Sequence, residues 1–569
     1  MLKKGREFMQ KVWNVKKYDS EYIEKIKKTY DVSEVMAKLL VARDIEFEDI
    51  DNFLKGTLQD IKDPYDMKDM DKFVDRVKKA IQQQEKICIY GDYDVDGITS
   101  ITIMYQFLTN LGADVCYYLP DRLVEGYGVN NSALDIVKAK GTQLVITVDC
   151  GITAIEEVEY ARKIGMDVCI TDHHECAEVL PNAIAIVNPK QKEDTSSFKM
   201  HAGVGVAFKC LMALAKAYQL EENSYWQYLD IVAVGTISDI VPLVDENRII
   251  SKYGLQMMKT TKNVGLKALL QLLTFKDIDS TMVSFGMAPR INACGRMGNA
   301  RVAVELLLEE DKHRAAMLAA TLDRLNTKRQ MVEKDIFEQA VEMIAQKGLE
   351  QKNSIVLYGK DWHNGVIGIV ASRLVNMYFK PVILLTKENG VIRGSGRCPQ
   401  GFSLYDSLTN CQEHLIQFGG HELAAGLSIE EEKIEAFTQA FEEIATQYAS
   451  LLNEQMIDID MEIYRKDLNI SLLKDIRALR PYGQSNKAPL FIYRDLKIKA
   501  IRTLKEDKHL KFTLQDDRTL IEGIAFSQGN RRDEFVMGEK IDVVATVELN
   551  VYNGKKTIQL LLQDFKKSV

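Results

Sequence analysis

A chain of 569 residues, of which 46% are hydrophobic, is long enough for about three or four domains, each with its own core. The formal charge of −8 excludes a uniformly basic nucleic-acid binder, although a local basic channel is compatible with an acidic total. None of the nine cysteines forms a C-x-x-C pair, which argues against a structural zinc site or a disulfide framework and indicates reduced packing residues.

Neither the first residues nor the most apolar stretch of the chain has the pattern of a targeting or membrane-spanning segment. MLKKGREFMQKVWN lacks the apolar centre of a signal peptide, and the segment before residue 50 indicates only helices. The best membrane candidate, GIVASRLVNMYFKPVILL, is interrupted by Arg373, Lys380 and Pro381. We therefore expect a cytoplasmic protein without a membrane association.

The first motif that points to chemistry is GDYDVDG at residues 91–97, directly after the apolar run KICIY. Like charges at this spacing are costly unless a cation lies among them, which indicates a hard-metal site. An EF-hand loop starting at Asp92 would need a bidentate acid at its twelfth position, which is Ile103, so that alternative fails. A solvated acidic turn stays open as the other interpretation, because Asp and Gly are ordinary turn residues.

From residue 86 to about residue 172, short apolar runs alternate with helical stretches. The runs KICIYG, ADVCYYL, QLVITVDC and DVCITDHH predict strands, and helices are predicted near 98–110, 131–140 and 153–164. This alternation is typical of βαβ units and predicts a largely parallel, doubly wound sheet. Further helical patterns lead to the run TISDIVPL.

A glycine-rich passage, FGMAPRINACGRMGNARVA, separates this lobe from a long helical pattern. The run from Ala303 to Gln346 contains neither Gly nor Pro and predicts one or two long amphipathic helices that join two lobes. A second α/β pattern then begins with SIVLYG. It continues through an apolar helix at 365–379 and the strands PVILLT and VIRGSGR to QFGGHELAAGLSI.

The residue pattern changes from helical to strand-like after the helix near 431–450. Five short alternating strands follow: LKIKAIRTL, HLKFTLQD, LIEGIAF, KIDVVATVEL and KTIQLLLQDF. Such a series is typical of a small barrel such as an OB-fold. The expected fold class is thus α/β and multidomain, with a C-terminal β-barrel. The expected units are an N-terminal helical segment at 1–50, a catalytic domain at 51–302, connector helices at 303–350, a second α/β domain at 351–454 and the barrel at 455–569.

Further acidic and histidine positions fall where elements of the first lobe end. They are Asp149 in VITVDCG, the triplet Asp172-His173-His174 in TDHH, and Asp239 in ISDIVPL. Parallel strands bring their carboxyl ends to one edge of a sheet, so these groups could converge there with the aspartates of GDYDVDG. So many acids need more than one cation. Mixed carboxylate and imidazole ligands suit Mn²⁺, or Mg²⁺, in a two-metal centre for phosphoester hydrolysis.

The ordered motifs GDYDVDG, VDCG, TDHH and SDIVPL resemble those of the DHH phosphoesterases. The later GRMGNARVA, WHNGVIGIVASRL, GSGR and GGHELAAGLSI resemble the companion DHHA1 lobe as it occurs in the RecJ family of 5′→3′ exonucleases specific for single-stranded DNA. The resemblance runs from about residue 50 to the end. One departure is Ser485-Asn486-Lys487, where the family pattern has a Gly-Asn-Pro turn.

The resemblance implies a role for each of these residues. The implied ligands of two Mn²⁺ or Mg²⁺ ions are Asp92, Asp94, Asp96, Asp149, His173 and Asp239. Asp149 would bridge the ions, Asp172 would orient His173, and His174 would face the scissile phosphate. The implied contacts to a terminal 5′-phosphate or to single-stranded DNA are Asn292, Arg296, Ser395, Arg397 and His421.

The function implied by the resemblance is hydrolysis of single-stranded DNA from the 5′ end to mononucleotides, in recombination and repair. A helicase and a single-strand-binding protein are the expected partners. Two alternatives stay open. One is a hydrolase of short oligonucleotides or cyclic dinucleotides with the same metals. The other is a catalytically silent DNA-binding scaffold, which the presence of every candidate ligand disfavours.

Overall fold

Apolar residues at periods of two and of three to four build the strands and helices of the computed structural model. It describes residues 10–120, 125–126, 128–275, 277–388, 390–452, 454–552 and 555–568. The first elements are β1 (Gln10–Val15), α1 (Ser20–Tyr30), α2 (Glu34–Val41), α3 (Ile50–Lys55) and α4 (Met70–Gln82).

A doubly wound parallel sheet follows α4. Its strands are β2 (Lys86–Gly91), β3 (Val115–Tyr118), β4 (Thr142–Val148), β5 (Asp167–Thr171) and β6 (Ala185–Val187), in the order β3-β2-β4-β5-β6. The helices beside it are α5 (Val95–Asn110), α6 (Asn131–Ala139), α7 (Ile155–Lys163) and α8 (Gly203–Ala217). Ile87 and Ile89 face a core shared with α4, α5 and α8, whereas Cys88 and Tyr90 face a core shared with α6 and α7. Helices therefore cover both faces, and the predicted sheet is confirmed.

After α8, the described residues up to the second lobe form helices and no strand, and these helices pack in the core of the first lobe. They are α9 (Asn223–Trp226), α10 (Leu229–Ser238), α11 (Asp245–Met258), α12 (Val264–Gln271), α13 (Ser280–Met282), α14 (Ala288–Met297), α15 (Arg301–Leu308) and α16 (Lys312–Gln346). The glycine-rich passage is largely helical, with one π-helical turn at Val283–Met287. The long helix α16 contributes Ala315 and Ala319 to the first core but Ile336 and Ala340 to the core of the second lobe. It therefore packs in both lobes.

The second lobe is a mixed sheet with four helices. It contains β7 (Ile355–Tyr358), α17 (Asn364–Tyr378), β8 (Val382–Glu388), β9 (Val391–Arg397), α18 (Leu404–Thr409), β10 (Leu415–Gly420), β11 (Ala424–Ile429), α19 (Ile434–Gln447) and α20 (Ala449–Leu452). The order is β10-β11-β9-β8-β7, in which only β7 and β8 run parallel.

The C-terminal part is a closed barrel, as the alternating strands predict. Its elements are β12 (Glu454–Ile459), β13 (Met461–Glu462), α21 (Ile470–Ala478), β14 (Phe491–Leu504), β15 (His509–Asp516), β16 (Thr519–Ala525), β17 (Lys540–Tyr552) and β18 (Lys555–Lys567). Strand β14 pairs with both β15 and β17, which closes the ring. No helix among the described residues is long and apolar enough to cross a bilayer.

The N-terminal segment belongs structurally to this barrel. Strand β1 pairs in parallel with β12, and the indole of Trp13 donates to Asp564 at 2.9 Å. Helices α1 to α3 share one core with the barrel strands. The prediction of helices alone before residue 50 is therefore wrong, because QKVWNV is stabilised by a partner strand at the other end of the chain. Residues 1–9 of that segment lie outside the described residues.

Arg248, in the first turn of α11, ties the first lobe to the barrel unit. Its guanidinium donates to the carbonyls of Phe53, Leu479 and Ala478 at 2.8, 2.8 and 3.0 Å. It also lies 3.9 Å from the ring of Phe53. The side chain is buried, so these bonds are not exchanged with water.

We expect Arg248→Ala to lower the free energy of unfolding by about 3 kcal/mol, because three carbonyls lose a buried, charged donor. Urea denaturation of the full chain measures the loss. The exposed Arg502 of β14 is the matched control, and Arg502→Ala should change stability by less than about 0.5 kcal/mol. Equal losses in the two variants would contradict the role given to Arg248.

Candidate functional site

Three carboxylates follow three neighbouring strands of the first sheet. The parallel ladders of β2, β4 and β5 end in step, at Gly91, Val148 and Thr171. The residues after them are Asp92, Asp149 and Asp172. They lie together at the carboxyl edge of the sheet, as the sequence predicts, and all three are buried.

The loop GDYDVDG turns from β2 into α5. Asp94 is the N-cap of α5 and accepts hydrogen bonds from the amides of Asp96 and Gly97 at 2.9 and 3.1 Å. A Cβ at residue 97 would lie 2.4 Å from the carbonyl oxygen of Asp92, so only glycine permits this turn. The tight turn is what brings all three aspartates to one place.

The start of α8 holds Asp96 from the opposite side. The amides of Gly203 and Val204 donate to the two carboxylate oxygens of Asp96 at 2.6 and 2.8 Å. A Cβ at residue 203 would lie 2.6 Å from Oδ1 of Asp149. The helix can therefore approach both carboxylates only because residue 203 is glycine.

His173 lies among these carboxylates. Its Nε2 is 3.1 Å from Oδ1 of Asp149, 3.6 Å from Oδ2 of Asp239 and 3.9 Å from Oδ2 of Asp96. The backbone of His201 accepts a hydrogen bond from the imidazole and so holds the ring. This places Nε2 toward the acids in the orientation of a metal ligand.

The donor set fits divalent cations. Its ligand atoms form three overlapping groups within 4.8 Å: Asp149 with His173 and His174, Asp96 with His173 and Asp239, and Asp92 with Asp94 and Asp149. Oδ1 of Asp149 and Nε2 of His173 are both buried without a hydrogen-bond partner among the described residues. Such buried orphan atoms are rare, and a shared cation would satisfy both. Asp149 and His173 each occur in two of the groups, and of the two only the carboxylate of Asp149 has a second oxygen that could be shared between cations.

The electrostatics of the cluster are unfavourable without a cation. Burial raises the pKa of Asp96 to about 7 and that of Asp239 to about 9, and neighbouring aspartates add to both shifts. Burial and the charges of the other acids also hold the pKa of Asp149 well above its usual range. Burial lowers the pKa of His173 to about 4, so its imidazole is neutral.

Asp172 holds the second histidine of the triplet. Its Oδ1 lies 2.7 Å from Nδ1 of His174, and Oδ2 accepts from the amide of Ile152 at 2.9 Å. Burial opposes the ionised form of Asp172, but the bond with His174 lowers its pKa below the usual range. Burial likewise opposes the charge on His174, yet Asp172 raises its pKa.

Asp172 contacts His173 through the backbone amide of that residue, at 2.7 Å, and not through its ring. Its carboxylate is instead occupied by the neighbouring ring of His174. The support of the His173 ring comes from the backbone of His201.

A cleft between the two lobes opens beside the metal-ligand cluster. A cavity of about 340 Å³ is lined by Asp172, His174 and Glu175 of the first lobe and by His421 of the second. His421 is exposed and follows strand β10 directly. The two lobes therefore face each other across the candidate site, as expected for His421.

A second group of predicted residues surrounds the N-terminus of α17. Arg296 donates to the carbonyl of Gly365 at 3.1 Å, and Nη1 of Arg397 donates to Oγ of Ser395 at 3.2 Å. A Cβ at residue 368 would lie 2.8 Å from Ser395 Oγ and 3.1 Å from Arg397 Nη2. Two arginines, a hydroxyl and the positive end of a helix thus share one place, which suits a phosphate.

The remaining predicted contact, Asn292, is half-buried and lies on α14 four residues before Arg296. Residues four apart share one face of a helix, so Asn292 neighbours the phosphate-binding group without being part of its core. The glycines that admit the contacts at α17 are functional positions that sequence reasoning missed. GSGR and NGVIG carry the signal, because clustered glycines at element ends mark close approaches.

Comparisons with known proteins agree with this architecture. Residues 86–236 match the model of the DHH family, N-terminal domain, residues 351–447 match the DHHA1 domain, and residues 459–564 match the RecJ OB domain. A solved structure of RecJ in complex with Mn²⁺ from Thermus thermophilus superposes with a TM-score of 0.84 at 28% identity. The alignment covers 98% of this chain and 80% of that one.

Curated relatives match over nearly the whole length. The single-stranded-DNA-specific exonuclease RecJ of Bacillus subtilis is 38% identical over 97% of this chain and 70% of the relative. The protein with the same name from Salmonella typhimurium is 32% identical over 94% of this chain and 96% of the relative. These matches cover nearly all of this chain and most of each relative, and the chain belongs to the RecJ family.

Proposed function

We propose that this chain is a metal-dependent exonuclease that hydrolyses single-stranded DNA from the 5′ end and releases 5′-mononucleotides, in DNA recombination and repair. Its relatives carry the name of single-stranded-DNA-specific exonuclease. The observation that carries the proposal is the proximity of two sites, the metal-ligand cluster and the phosphate-binding group. An ideal Cβ on Gly295, the neighbour of Arg296, would lie only 2.9 Å from the carbonyl oxygen of Tyr93 in the GDYDVDG loop.

The cluster supplies the hydrolytic centre. Bound Mn²⁺ or Mg²⁺, as in structures of the Thermus thermophilus relative, would lower the pKa of an attacking water and neutralise charge on the phosphate. Asp92, Asp94, Asp96, Asp149, His173 and Asp239 are the proposed ligands. His173 serves as a neutral donor, since burial keeps its ring deprotonated.

His174 is the proposed group that meets the scissile phosphate. It lines the cleft, and its Nδ1 is held by Asp172. Because this pair favours the protonated imidazole, the opposite nitrogen donates a hydrogen bond to a phosphate oxygen and stabilises its developing charge. His421 completes the cleft from the second lobe.

The group at α17 binds the phosphate at the 5′ end of the strand. Arg296 and Arg397 provide planar forks, Ser395 a hydroxyl, and α17 the amides of its first turn. A terminal phosphate carries more charge than an internal one and gains more from this group. Cleavage one nucleotide away from the bound end then yields a mononucleotide.

The barrel is proposed to bind the strand beyond the active site, as OB-folds do, and a small-substrate hydrolase would not need it. Specificity for single strands makes a helicase and a single-strand-binding protein the partners that we propose, with the cytoplasm as the location. The proposed units are the catalytic domain at 51–302, the connector helices at 303–350, the DHHA1 domain at 351–454 and the barrel at 455–569, with residues 10–50 packed on the barrel.

We expect Asp149→Asn to slow digestion of a 5′-phosphorylated, 3′-labelled single strand by at least about 100-fold, because it removes the shared carboxylate. Gel analysis in Mn²⁺ measures the rate, beside a blunt duplex and a dinucleotide. Asp114→Asn, at an exposed aspartate before β3, should digest as the wild type does. Hydrolysis of the dinucleotide alone would contradict the exonuclease assignment, and wild-type rates in Asp149→Asn would contradict the ligand assignment.

We expect Arg397→Ala to reduce the preference for a 5′-phosphate over a 5′-hydroxyl strand by about 10- to 100-fold, since a charge-assisted bond is lost. Competition between the two strands measures that ratio. Arg393→Ala is the control, because Arg393 is exposed four residues earlier on the same face of β9. An unchanged preference for the 5′-phosphate in Arg397→Ala would show that another part of the protein recognises the end of the strand.

The raised pKa values of Asp96 and Asp239 predict that the metal-free protein loses stability as pH rises. The unfolded carboxyls ionise near pH 4, whereas the folded ones ionise near 7 and 9, so the folded state binds more protons in between. When a chelator keeps the protein free of metal, its unfolding temperature should fall by at least about 3 °C between pH 5 and pH 8. The fall should be smaller in Asp239→Asn and should disappear with excess Mn²⁺. An equal fall in Asp239→Asn would contradict this origin.

A further inference from the structure

The side chain of Asn247 joins two segments that carry proposed metal ligands. Asn247 lies in the first turn of α11 and is completely buried. Its Nδ2 donates one hydrogen bond to the carbonyl of Met200, at 2.5 Å, and one to the carbonyl of Pro242, at 3.0 Å. Both hydrogens of the amide group are thereby used, one on each segment.

The first of these segments, residues 200–204, holds two ligands of the cluster. His201 accepts from the ring of His173 through its backbone, and the amides of Gly203 and Val204 donate to Asp96. A shift of this segment would therefore rotate the His173 ring and move the Asp96 carboxylate together. Asn247 anchors it at the residue before His201.

The second segment, residues 239–243, carries Asp239 and is under backbone strain. Ile240, directly after Asp239, has φ of +63°, a conformation that a β-branched residue rarely adopts. Its side chain is 70% exposed, so burial of Ile240 does not offset that strain. The turn is instead held by hydrogen bonds, from Asn247 to Pro242 and from the amide of Leu243 to the carbonyl of Gln484.

We propose that Asn247 is a positioning residue that sets the separation between the segment of His173 and Asp96 and the segment of Asp239, and so sets the metal affinity of the site. The inference rests on the metal centre of the proposed function. Among the described residues, Asn247 makes its side-chain hydrogen bonds to the two backbone segments and none to a proposed ligand. Outer contacts of this kind tune metal sites by about 10- to 100-fold in affinity.

A purely structural role for Asn247 predicts lost stability without a changed metal site. The chain offers a matched control in Asn486, which is also completely buried. Its Nδ2 likewise donates to two carbonyls, those of Leu479 and Pro481, at 2.7 and 2.8 Å. Neither of these carbonyls belongs to a segment that carries a proposed ligand.

The experiment compares the full-length wild type with Asn247→Leu and Asn486→Leu. Mn²⁺ titration calorimetry without DNA measures affinity, and the paramagnetic resonance spectrum of bound Mn²⁺ reports the geometry of the centre. We expect both leucine variants to lower the unfolding temperature. Only Asn247→Leu should weaken Mn²⁺ binding, by about 10- to 100-fold, and alter the spectrum.

Asn247→Ala is the second variant if Asn247→Leu does not fold, since the smaller side chain leaves room for a water between the two carbonyls. It should weaken Mn²⁺ binding in the same direction. Wild-type affinity and spectrum in a folded Asn247 variant would overturn the proposal, and so would an equal loss of affinity in Asn486→Leu. Failure of the wild type to bind Mn²⁺ would instead overturn the metal centre itself, with which this inference falls.

Discussion

The mutual repulsion of carboxylates that are buried at one edge of a sheet is the constraint on which the rest of this structure depends. Asp96 and Asp149 are almost completely buried, and the cluster as a whole places their charges close to one imidazole ring. Stability does not explain why these acids lie together, because burial makes each charge costly. The arrangement is favourable only when cations share the carboxylates, so the site is built at the expense of the metal-free fold.

The backbone around the cluster holds the carboxylates in place through close contacts and amide hydrogen bonds rather than through positively charged side chains. Glycines at 97 and 203 let the GDYDVDG turn and α8 approach the aspartates, and the amides of α8 hold Asp96 in place. The first turn of α11 then secures the surrounding segments. Arg248 ties it to the barrel unit and Asn247 ties it to the ligand segments. One helical turn thus connects the catalytic edge to the barrel unit.

The sequence predicts which acidic residues meet at this edge of the sheet better than it predicts the contacts that hold them there. Asp92, Asp149 and Asp172 follow strands with clear apolar patterns, so the topology of a parallel sheet is enough to bring them together. The sequence does not reveal, by contrast, that the ring held by Asp172 is that of His174. Adjacent residues in a loop point in directions that depend on φ and ψ, which no pattern of residue types reveals. Strand β1 was missed because its pairing partner, β12, lies more than 400 residues away in the sequence, where no local pattern can indicate the pairing.

The proposed phosphate-binding group at α17 is built from both lobes. Arg296 comes from α14 of the first lobe, whereas Ser395 and Arg397 come from β9 of the second, and α17 lies between them. The pocket therefore exists only when the lobes are held at a fixed separation. Helix α16 packs in both cores and supplies that rigidity. Under the proposed function, a fixed distance between the bound terminal phosphate and the hydrolytic centre would determine which phosphodiester bond is cleaved, and so make the product a mononucleotide.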